Sequence, residues 1–107
     1  MTVAYLCGPI STGGTASAER IQENLKAFER VKEKFSETST KVNDPSTLPP
    51  QGSWPEYMKL SVPMLCEADF MILLPGWEHS RGAIFEIMVA NTLNIPIIFA
   101  EHLLDKV

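Results

Sequence analysis

The most constraining feature of this sequence is an uninterrupted apolar run, DFMILLP, at residues 69–75. A strand with one face in water alternates apolar and polar side chains, whereas no polar residue interrupts this run after Asp69. Such a run is typical of a central strand in a parallel sheet, where helices cover both faces. It therefore predicts a domain in which strands alternate with helices.

Three other short segments, each followed by turn residues, predict further strands. They are residues 2–7, 40–43 and 95–100. The segments between the strands predict helices at residues 17–35, 56–68 and 80–93. The first helix is amphipathic, because its apolar side chains recur at steps of three or four. Pro63 either kinks the second helix or marks the start of a new one, and residues 102–107 close the chain as a short helix or tail.

This alternation predicts one α/β domain over residues 1–107, built from right-handed β–α–β units. We expect an open parallel sheet of four to five strands in the order 2-1-3-4(-5). Ligands bind such sheets beyond the carboxyl ends of the strands, at the point where the strand order reverses. Here that point lies between strands 1 and 3, so the loops after these two strands meet there.

Composition and charge narrow the classes of partner. The net charge is −4 and no block of Lys or Arg occurs, which argues against nucleic-acid binding. With only two histidines, no metal site or other cofactor site is recognisable. No apolar stretch is long enough to span a membrane. Two cysteines without a CxxC pair, in a chain without a secretory leader, predict reduced thiols and a cytoplasmic protein.

The loop after strand 3, PGWEHSRG at residues 75–82, leads directly into the third predicted helix. Ser80 is positioned to cap that helix, and Gly82 keeps its first turn small. A helix N-terminus attracts anions through its free N–H groups and its dipole, and Arg81 adds a positive charge. A phosphate site is one interpretation. In the other, Ser80 only caps the helix and Gly82 only packs.

Glu86 is the only charged residue between Gly82 and Ala100. Positions 82 and 86 share a helix face, because an α-helix has about 3.6 residues per turn. A carboxylate held among apolar neighbours in a crevice can act as a nucleophile or a base. In the alternative interpretation, Glu86 lies at the solvent edge of the helix or pairs with a lysine. Tyr5, near the crevice end of strand 1, either hydrogen-bonds Glu86 or belongs simply to the core.

A long segment, DPSTLPPQGSWPE at residues 44–56, contains four prolines and predicts a loop. Loops of this length in compact domains are usually functional or disordered. Trp54 within it, Tyr57 just after it and Trp77 in the strand-3 loop are candidates for stacking on a base. Each of the three is equally compatible with core packing.

Four stretches of the chain together resemble the nucleoside 2-deoxyribosyltransferase-like superfamily, and most closely its short bacterial and phage members. They are YLCGPI at 5–10, WPEYM at 54–58, EADFMILLPGWEHSRGA at 67–83 and FEIMVANTLNIPII at 85–98. The resemblance implies a flavodoxin-like three-layer sandwich that cleaves or exchanges the N-glycosidic bond of a 2′-deoxynucleoside or nucleotide. It also implies that Glu86 attacks C1′ to form a covalent deoxyribosyl intermediate, and that Tyr5 orients Glu86.

The same resemblance implies a substrate-binding loop after strand 1. That loop would cradle the sugar or phosphate with Gly8, Pro9, Ile10 and Ser11. The predicted binding set is completed by residues from the second strand, the long loop and the start of the third helix. These are Asn43, Trp54, Ser80, Arg81 and Gly82.

Two positions depart from the pattern of the superfamily. Ser80 stands where transferases of free nucleosides usually carry an aspartate, and the nucleotide-hydrolysing branch also has a serine there, which holds the 5′-phosphate. Ser61 stands where active members often carry the aspartate that protonates the leaving base, and a hydroxyl is a poor general acid at neutral pH. Asp44 or Glu56 would then have to supply that proton. The alternative to a monophosphate-cleaving enzyme is therefore a non-catalytic nucleotide sensor of the same fold.

The third predicted helix is apolar on too many sides for a small monomer. In the superfamily that the chain resembles, neighbouring subunits complete each other's active sites. We therefore expect at least a homodimer, with a small nucleoside or nucleotide as its ligand.

Overall fold

The computed structural model describes residues 2–9, 18–49 and 51–101. Within these ranges the chain forms four strands, β1 Val3–Cys7, β2 Lys41–Asn43, β3 Phe70–Leu73 and β4 Ile97–Phe99. The helices between them are α1 Ala18–Phe35, α2 Trp54–Cys66 and α3 Arg81–Thr92. Short 3₁₀ helices lie at Pro45–Thr47 and Trp77–His79. The predicted closing segment at residues 102–107 lies outside the described residues.

The strands form one parallel sheet in the order β2-β1-β3-β4, which confirms the predicted order. Tyr5 of β1 stands beside Asn43 of β2 on one side and Met71 of β3 on the other. The strand order reverses between β1 and β3. The crevice expected for a ligand therefore lies beyond Cys7 and Leu73, at the carboxyl ends of these two strands.

Side chains of β1 and β3 alternate between two buried layers, because successive residues of a strand point to opposite faces. One layer combines Tyr5, Cys7, Met71 and Leu73 with Leu65 of α2 and with Ala83 and Ala90 of α3. The opposite layer combines Ala4, Leu6, Ile72 and Leu74 with Phe28 and Val31 of α1. The sheet is thus covered by α1 on one face and by α2 and α3 on the other, which confirms the predicted flavodoxin-like three-layer sandwich.

Helix α2 begins earlier than predicted, at Trp54, so the predicted loop at residues 44–56 is too long. Ser53 caps the helix: its Oγ accepts a hydrogen bond from the Glu56 backbone N–H at 3.3 Å and donates to Glu56 Oε1 at 3.2 Å. Pro55 is tolerated because N–H groups of the first turn have no intrahelical partner. The helix then continues through Pro63 to Cys66, and no new helix begins at Pro63.

Candidate active site

Glu86 is the centre of a buried hydrogen-bond cluster on the face of the sheet covered by α2 and α3. Its side chain is on the inner side of α3, with the residue only 5% exposed. The hydroxyls of Tyr5 and Ser61 both donate to Oε2, at 2.7 Å and 2.9 Å. The Cys7 thiol donates to Oε1 at 3.5 Å. Glu86 is therefore neither at the solvent edge of the helix nor paired with a lysine, which were the alternatives to a buried position.

The residues of this cluster come from β1, α2 and α3. Tyr5 and Cys7 are two residues apart on β1, so their side chains share one face of the sheet. Ser61 lies in the middle of α2 and is fully buried. Because Glu86 is in the second turn of α3, it reaches the same point from above the sheet. The hydrogen bond between Tyr5 and Glu86 was one of the two alternatives predicted for Tyr5, whereas the contacts of Ser61 and Cys7 with Glu86 were not predicted.

Burial and hydrogen bonding act on the Glu86 carboxyl in opposite directions. Burial raises its pKa above the ordinary value, while the hydrogen bonds from Tyr5, Ser61 and Cys7 lower it in part. Burial also raises the pKa values of the Tyr5 hydroxyl and the Cys7 thiol, and the neighbouring Glu86 charge raises both further. Tyr5 and Cys7 therefore keep their protons and remain donors to the carboxylate.

The loops after β1 and β3 touch at the carboxyl edge of the sheet. A Cβ atom added to Gly8 would lie 2.7 Å from the Leu74 Cβ, so only glycine lets the chain pass here without displacement. Gly76 has a φ of 87°, in the left-handed region that favours glycine, and a Cβ there would lie 3.1 Å from the Pro9 Cγ. Gly8 and Pro9 thus stand at the predicted crevice. Ile10 and Ser11, the other two residues of the predicted cradle, lie outside the described residues.

The start of α3 has the cap that the sequence indicated. Ser80 Oγ accepts a hydrogen bond from the Ala83 backbone N–H at 3.2 Å. Ser80 therefore serves as N-cap, and the N-terminal end of α3 lies directly after the loop that follows β3. The 3₁₀ helix at Trp77–His79, which was not foreseen, fills that loop.

Trp54, Arg81 and Gly82 meet where the N-terminal ends of α2 and α3 approach each other. The Arg81 guanidinium carbon lies 3.9 Å from the centroid of the Trp54 ring, which is cation–π geometry. Phe85 packs edge-on against the same ring, with centroids 6.4 Å apart. A Cβ on Gly82 would come within 3.6 Å of Trp54 Nε1 and 3.5 Å of Met58 Sδ, so Gly82 faces α2 at ordinary contact distance. Three members of the predicted binding set are therefore neighbours.

Asn43 lies on the far side of β1 from β3, at the end of β2. Its side-chain Nδ2 donates to the Met64 carbonyl at 2.9 Å and to Glu67 Oε1 at 3.3 Å. These contacts tie β2 to the C-terminal part of α2. The amide nitrogen of Asn43 is therefore already engaged within the protein.

Asp44 and Glu56, the two candidates for a proton donor, are both held in local contacts. Asp44 Oδ2 pairs with Lys32 Nζ at 3.0 Å, and Asp44 Oδ1 accepts from the backbone N–H and the hydroxyl of Ser46. Glu56 is exposed and belongs to the cap with Ser53. Asp44 therefore caps the 3₁₀ helix at Pro45–Thr47, and Glu56 takes part in the cap of α2.

The other two aromatic candidates lie in different surroundings. Tyr57, half-buried on α2, donates from its hydroxyl to the Pro45 carbonyl at 3.2 Å. Burial raises the pKa of Tyr57, and the nearby Glu86 charge raises it further. Trp77 lines a groove with Gly76 and Phe99 at the carboxyl ends of β3 and β4, and Glu86 does not line that groove.

Within the described ranges, the chain has neither a candidate metal site nor a candidate membrane-spanning helix. No group of three or more His, Cys, Asp or Glu side chains there is arranged to hold a metal ion. None of the helices in the same part of the chain is both long and apolar enough to cross a membrane.

Comparison with known proteins places this arrangement in a wider context. The family described as "Domain of unknown function (DUF4406)" matches residues 2–99. A search of curated proteins found no significant match. Among solved structures, the fold is similar to a 2-deoxyribosyltransferase from the psychrotolerant bacterium Bacillus psychrosaccharolyticus, with a TM-score of 0.68 and 18% sequence identity. The alignment covers 92% of this chain and 71% of that one, so the two share a fold over nearly the whole domain.

Proposed function

The chain belongs to the DUF4406 family, which is part of the nucleoside 2-deoxyribosyltransferase-like superfamily, and we propose that it cleaves or exchanges the N-glycosidic bond of a 2′-deoxynucleoside 5′-monophosphate. The observation that carries this proposal is the buried Glu86 carboxylate, which accepts hydrogen bonds from Tyr5, Ser61 and Cys7. The solved relative named as a 2-deoxyribosyltransferase supports the deoxyribosyl part of the substrate.

The surroundings of Glu86 suit a nucleophile. A carboxylate in water is a poor nucleophile because its oxygens are strongly hydrated. Burial removes that hydration, and the hydrogen bonds from Tyr5 and Ser61 favour the ionised form that attack requires. Burial raises the pKa of Glu86, and these hydrogen bonds offset part of that rise.

The proposed reaction has two displacement steps. In the first, a Glu86 oxygen bonds to C1′ while the C1′–N bond breaks, and its electron pair stays with the base, whose nitrogen takes a proton from water. In the second, a water oxygen bonds to C1′, the ester bond to Glu86 breaks and the water gives up a proton. The net products are the free base and 2-deoxyribose 5-phosphate. In the exchange reaction, the nitrogen of a second base replaces the water.

We assign the phosphate to the start of α3 and the loop after β1. The first N–H groups of a helix have no intrahelical partner and attract anions together with the helix dipole. Ser80 and Arg81 are at that helix start, and Gly8 and Pro9 follow β1. Ile10 and Ser11, the next two residues in the sequence, remain in the proposed phosphate set. A free deoxynucleoside lacks the 5′-phosphate that the start of α3 would bind, so we expect it to be a poorer substrate than the monophosphate.

We assign the base to the neighbourhood of Trp54 and Gly82. The Arg81 guanidinium lies over one face of the Trp54 ring. A base that stacks on this face would displace the guanidinium, which would free Arg81 to bind the phosphate. Gly82 is a neighbour of Trp54, because a Cβ at Gly82 would lie 3.6 Å from Trp54 Nε1. Asn43 remains in the proposed set because it stands in register with Tyr5 at the end of β2.

We propose that the protein self-associates through the outer face of α3. Ile84, Phe85 and Met88 are exposed there, with Met88 60% exposed. Three large apolar side chains within five residues of one helix form a surface that a second copy would cover.

Cys7 and Cys66 are both free thiols, which supports the expected location in the reducing cytoplasm.

A panel of 2′-deoxynucleoside 5′-monophosphates tests the proposal directly. The protein is incubated with each nucleotide, and free base is measured by chromatography, with the matching deoxynucleosides run in parallel. Base release from a monophosphate that is lost in Glu86→Ala supports the enzyme. Thermal stabilisation by a nucleotide without any release would instead identify a nucleotide sensor. If neither effect occurs with any member of the panel, the proposal is wrong.

A further inference from the structure

We propose that the two oxygens of Glu86 have different tasks: Oε2 is the anchored oxygen and Oε1 is the oxygen that bonds to C1′. Ser61 is then a positioning residue for the nucleophile, and does not donate a proton to the leaving base. This inference rests on the proposed function of Glu86 and deepens it.

The first support is the distribution of donors between the two oxygens. Each carboxylate oxygen has two lone pairs in the carboxylate plane. Two hydroxyls, those of Tyr5 at 2.7 Å and Ser61 at 2.9 Å, both point to Oε2. Both lone pairs of Oε2 are thereby engaged. Among the described residues, Oε1 accepts only from the Cys7 thiol, at 3.5 Å. A thiol is a weak donor, and this one also lies 3.8 Å from the Ala83 carbonyl oxygen. The free lone pair of the carboxylate is therefore on Oε1.

The second support is the origin of the two anchors. Tyr5 comes from β1 in the sheet and Ser61 from α2, so the two hydroxyls hold Oε2 from separate elements. The terminal torsion of a glutamate is intrinsically broad. Two donors from separate elements on one oxygen restrict that torsion. The orientation of Oε1 relative to the backbone of α3 is therefore also restricted.

The third support is the position of Ser61 itself. Its residue is fully buried, and its hydroxyl hydrogen is directed to Glu86. A hydroxyl that donates to a carboxylate at this distance has no second hydrogen to give to a base. Ser61 occupies the position where an acid was expected from the sequence, but its contact is with the nucleophile.

In the part of the chain that the structure describes, three titratable side chains interact with the Glu86 charge. Tyr5 and Cys7 of β1 hydrogen-bond it directly, and Tyr57 of α2 lies close enough for their charges to interact. Ser61 of α2 is the fourth polar neighbour and does not titrate in the accessible range. Ser61 Oγ also lies 3.7 Å from Met58 Sδ, which carries no charge, so a change of the Glu86 pKa on mutation of Ser61 reports on the hydrogen bond to Oε2.

The first measurement is an NMR titration of the Glu86 carboxyl in protein labelled with ¹³C at the glutamate carboxyl carbon. Loss of one signal in Glu86→Gln identifies the group. Ser61→Ala should raise the pKa of Glu86, because it removes a donor to the charged form. Ser61→Cys keeps a weak donor at nearly the same volume, so it should raise the pKa by less. Ser36→Ala, which removes a hydroxyl at the end of α1, is the matched control and should change nothing.

The second measurement compares turnover of the monophosphate in the same variants. Ser61→Ala should lower kcat about 10- to 100-fold with little change in KM, since it loses one hydrogen bond to a charged group. Cys7→Ser places a stronger donor at Oε1. It should lower the pKa of Glu86 and also lower kcat, because a stronger hydrogen bond withdraws charge from the oxygen that attacks C1′.

Three results would overturn the inference. They are an unchanged Glu86 pKa in Ser61→Ala, an unchanged or higher kcat in Cys7→Ser, and a Ser61→Ala defect confined to KM. If Ser61→Ala fails to fold, as judged by circular dichroism, Ser61→Cys decides the same question. If the wild type releases no base at all, the proposed function and the assignment of Oε1 both fail. The titration then still decides whether Ser61 anchors Oε2.

Discussion

The Tyr5 hydroxyl donates a 2.7 Å hydrogen bond to Glu86, which lies 81 positions later in the chain. The bond joins the first strand to the third helix inside the layer that α2 and α3 form over the sheet. Burial makes this contact stronger than an equivalent one in water, because the local dielectric is low. The position of the carboxylate thus depends on the packing of the whole domain.

Replacing Tyr5 by Phe should impair catalysis without unfolding the protein. The ring stays and fills the same space, while Glu86 loses one of its two hydroxyl donors. We expect kcat to fall about 10- to 100-fold, and the pKa of Glu86 to rise. Steady-state base release and the NMR titration measure the two effects. A Tyr5→Phe protein with wild-type kcat would remove Tyr5 from the mechanism.

Replacing Gly8 by Ala should destabilise the fold. The new Cβ would lie 2.7 Å from the Leu74 Cβ, which is close to the backbone and cannot rotate away. We expect a loss of about 1–3 kcal/mol in the free energy of unfolding, as for other overpacked sites. Chemical denaturation measures it. Gly52→Ala is the matched control, because its Cβ would meet only the flexible end of Glu56 at 3.4 Å. Equal effects at both glycines would contradict the close approach of the two loops.

The Glu86 carboxyl should make stability depend on pH in a defined direction. Burial raises its pKa in the folded state above the unfolded value of about 4.3. Between those two pKa values the folded state binds more protons, so the contribution of Glu86 to stability is lost as pH rises through the folded pKa. The free energy of unfolding of the wild type should therefore fall relative to that of Glu86→Gln from about pH 4 upward. A difference between the two proteins that stays constant with pH would contradict the raised pKa.

Replacing Arg81 by Ala should weaken binding of the monophosphate selectively. Arg81 is the first residue of α3, where the phosphate is assigned, and its guanidinium lies over the Trp54 ring. We expect KM for the monophosphate to rise about tenfold, with a much smaller change for the deoxynucleoside. Arg30→Ala removes an exposed arginine from α1 and serves as control. Equal losses for both substrates would move the phosphate away from Arg81.

A charge on the outer face of α3 should disrupt self-association. Met88→Glu introduces a carboxylate at an apolar position that is 60% exposed, where a partner subunit would bury it. Sedimentation velocity should show an oligomer for the wild type and a monomer for the variant. Leu25→Glu, at an exposed leucine on α1, should leave the oligomer intact. A monomeric wild type would contradict the proposed interface.

Most of the fold follows from local sequence patterns. The run at residues 69–75 has no polar interruption, so its central position in the sheet could be predicted. The start of α2 was placed too late because four prolines suggested a loop. The SWPE sequence at residues 53–56 nevertheless has a serine at the cap and a glutamate three residues later, which is a helix-start signal.

From the sequence, the site residues could be predicted only where their role follows from a single strand or helix. Glu86 stands out as a lone charge, and Tyr5 lies on the adjacent strand. The contact between Ser61 and Glu86 depends on how α2 crosses α3, and no local pattern encodes that angle. The position of Cys7 beside Glu86 could have been predicted, because Cys7 lies two residues after Tyr5 on the same face of the strand.

The most direct test of the central claim is the mass of the peptide that contains Glu86 after acid quenching during turnover of a 2′-deoxynucleoside 5′-monophosphate. Our account predicts a fraction of this peptide with the added mass of one 2-deoxyribose 5-phosphate group, and no such fraction in Glu86→Gln. A protein that releases base while this peptide stays unmodified at every time sampled, or a Glu86→Gln variant that releases base at the wild-type rate, would contradict it.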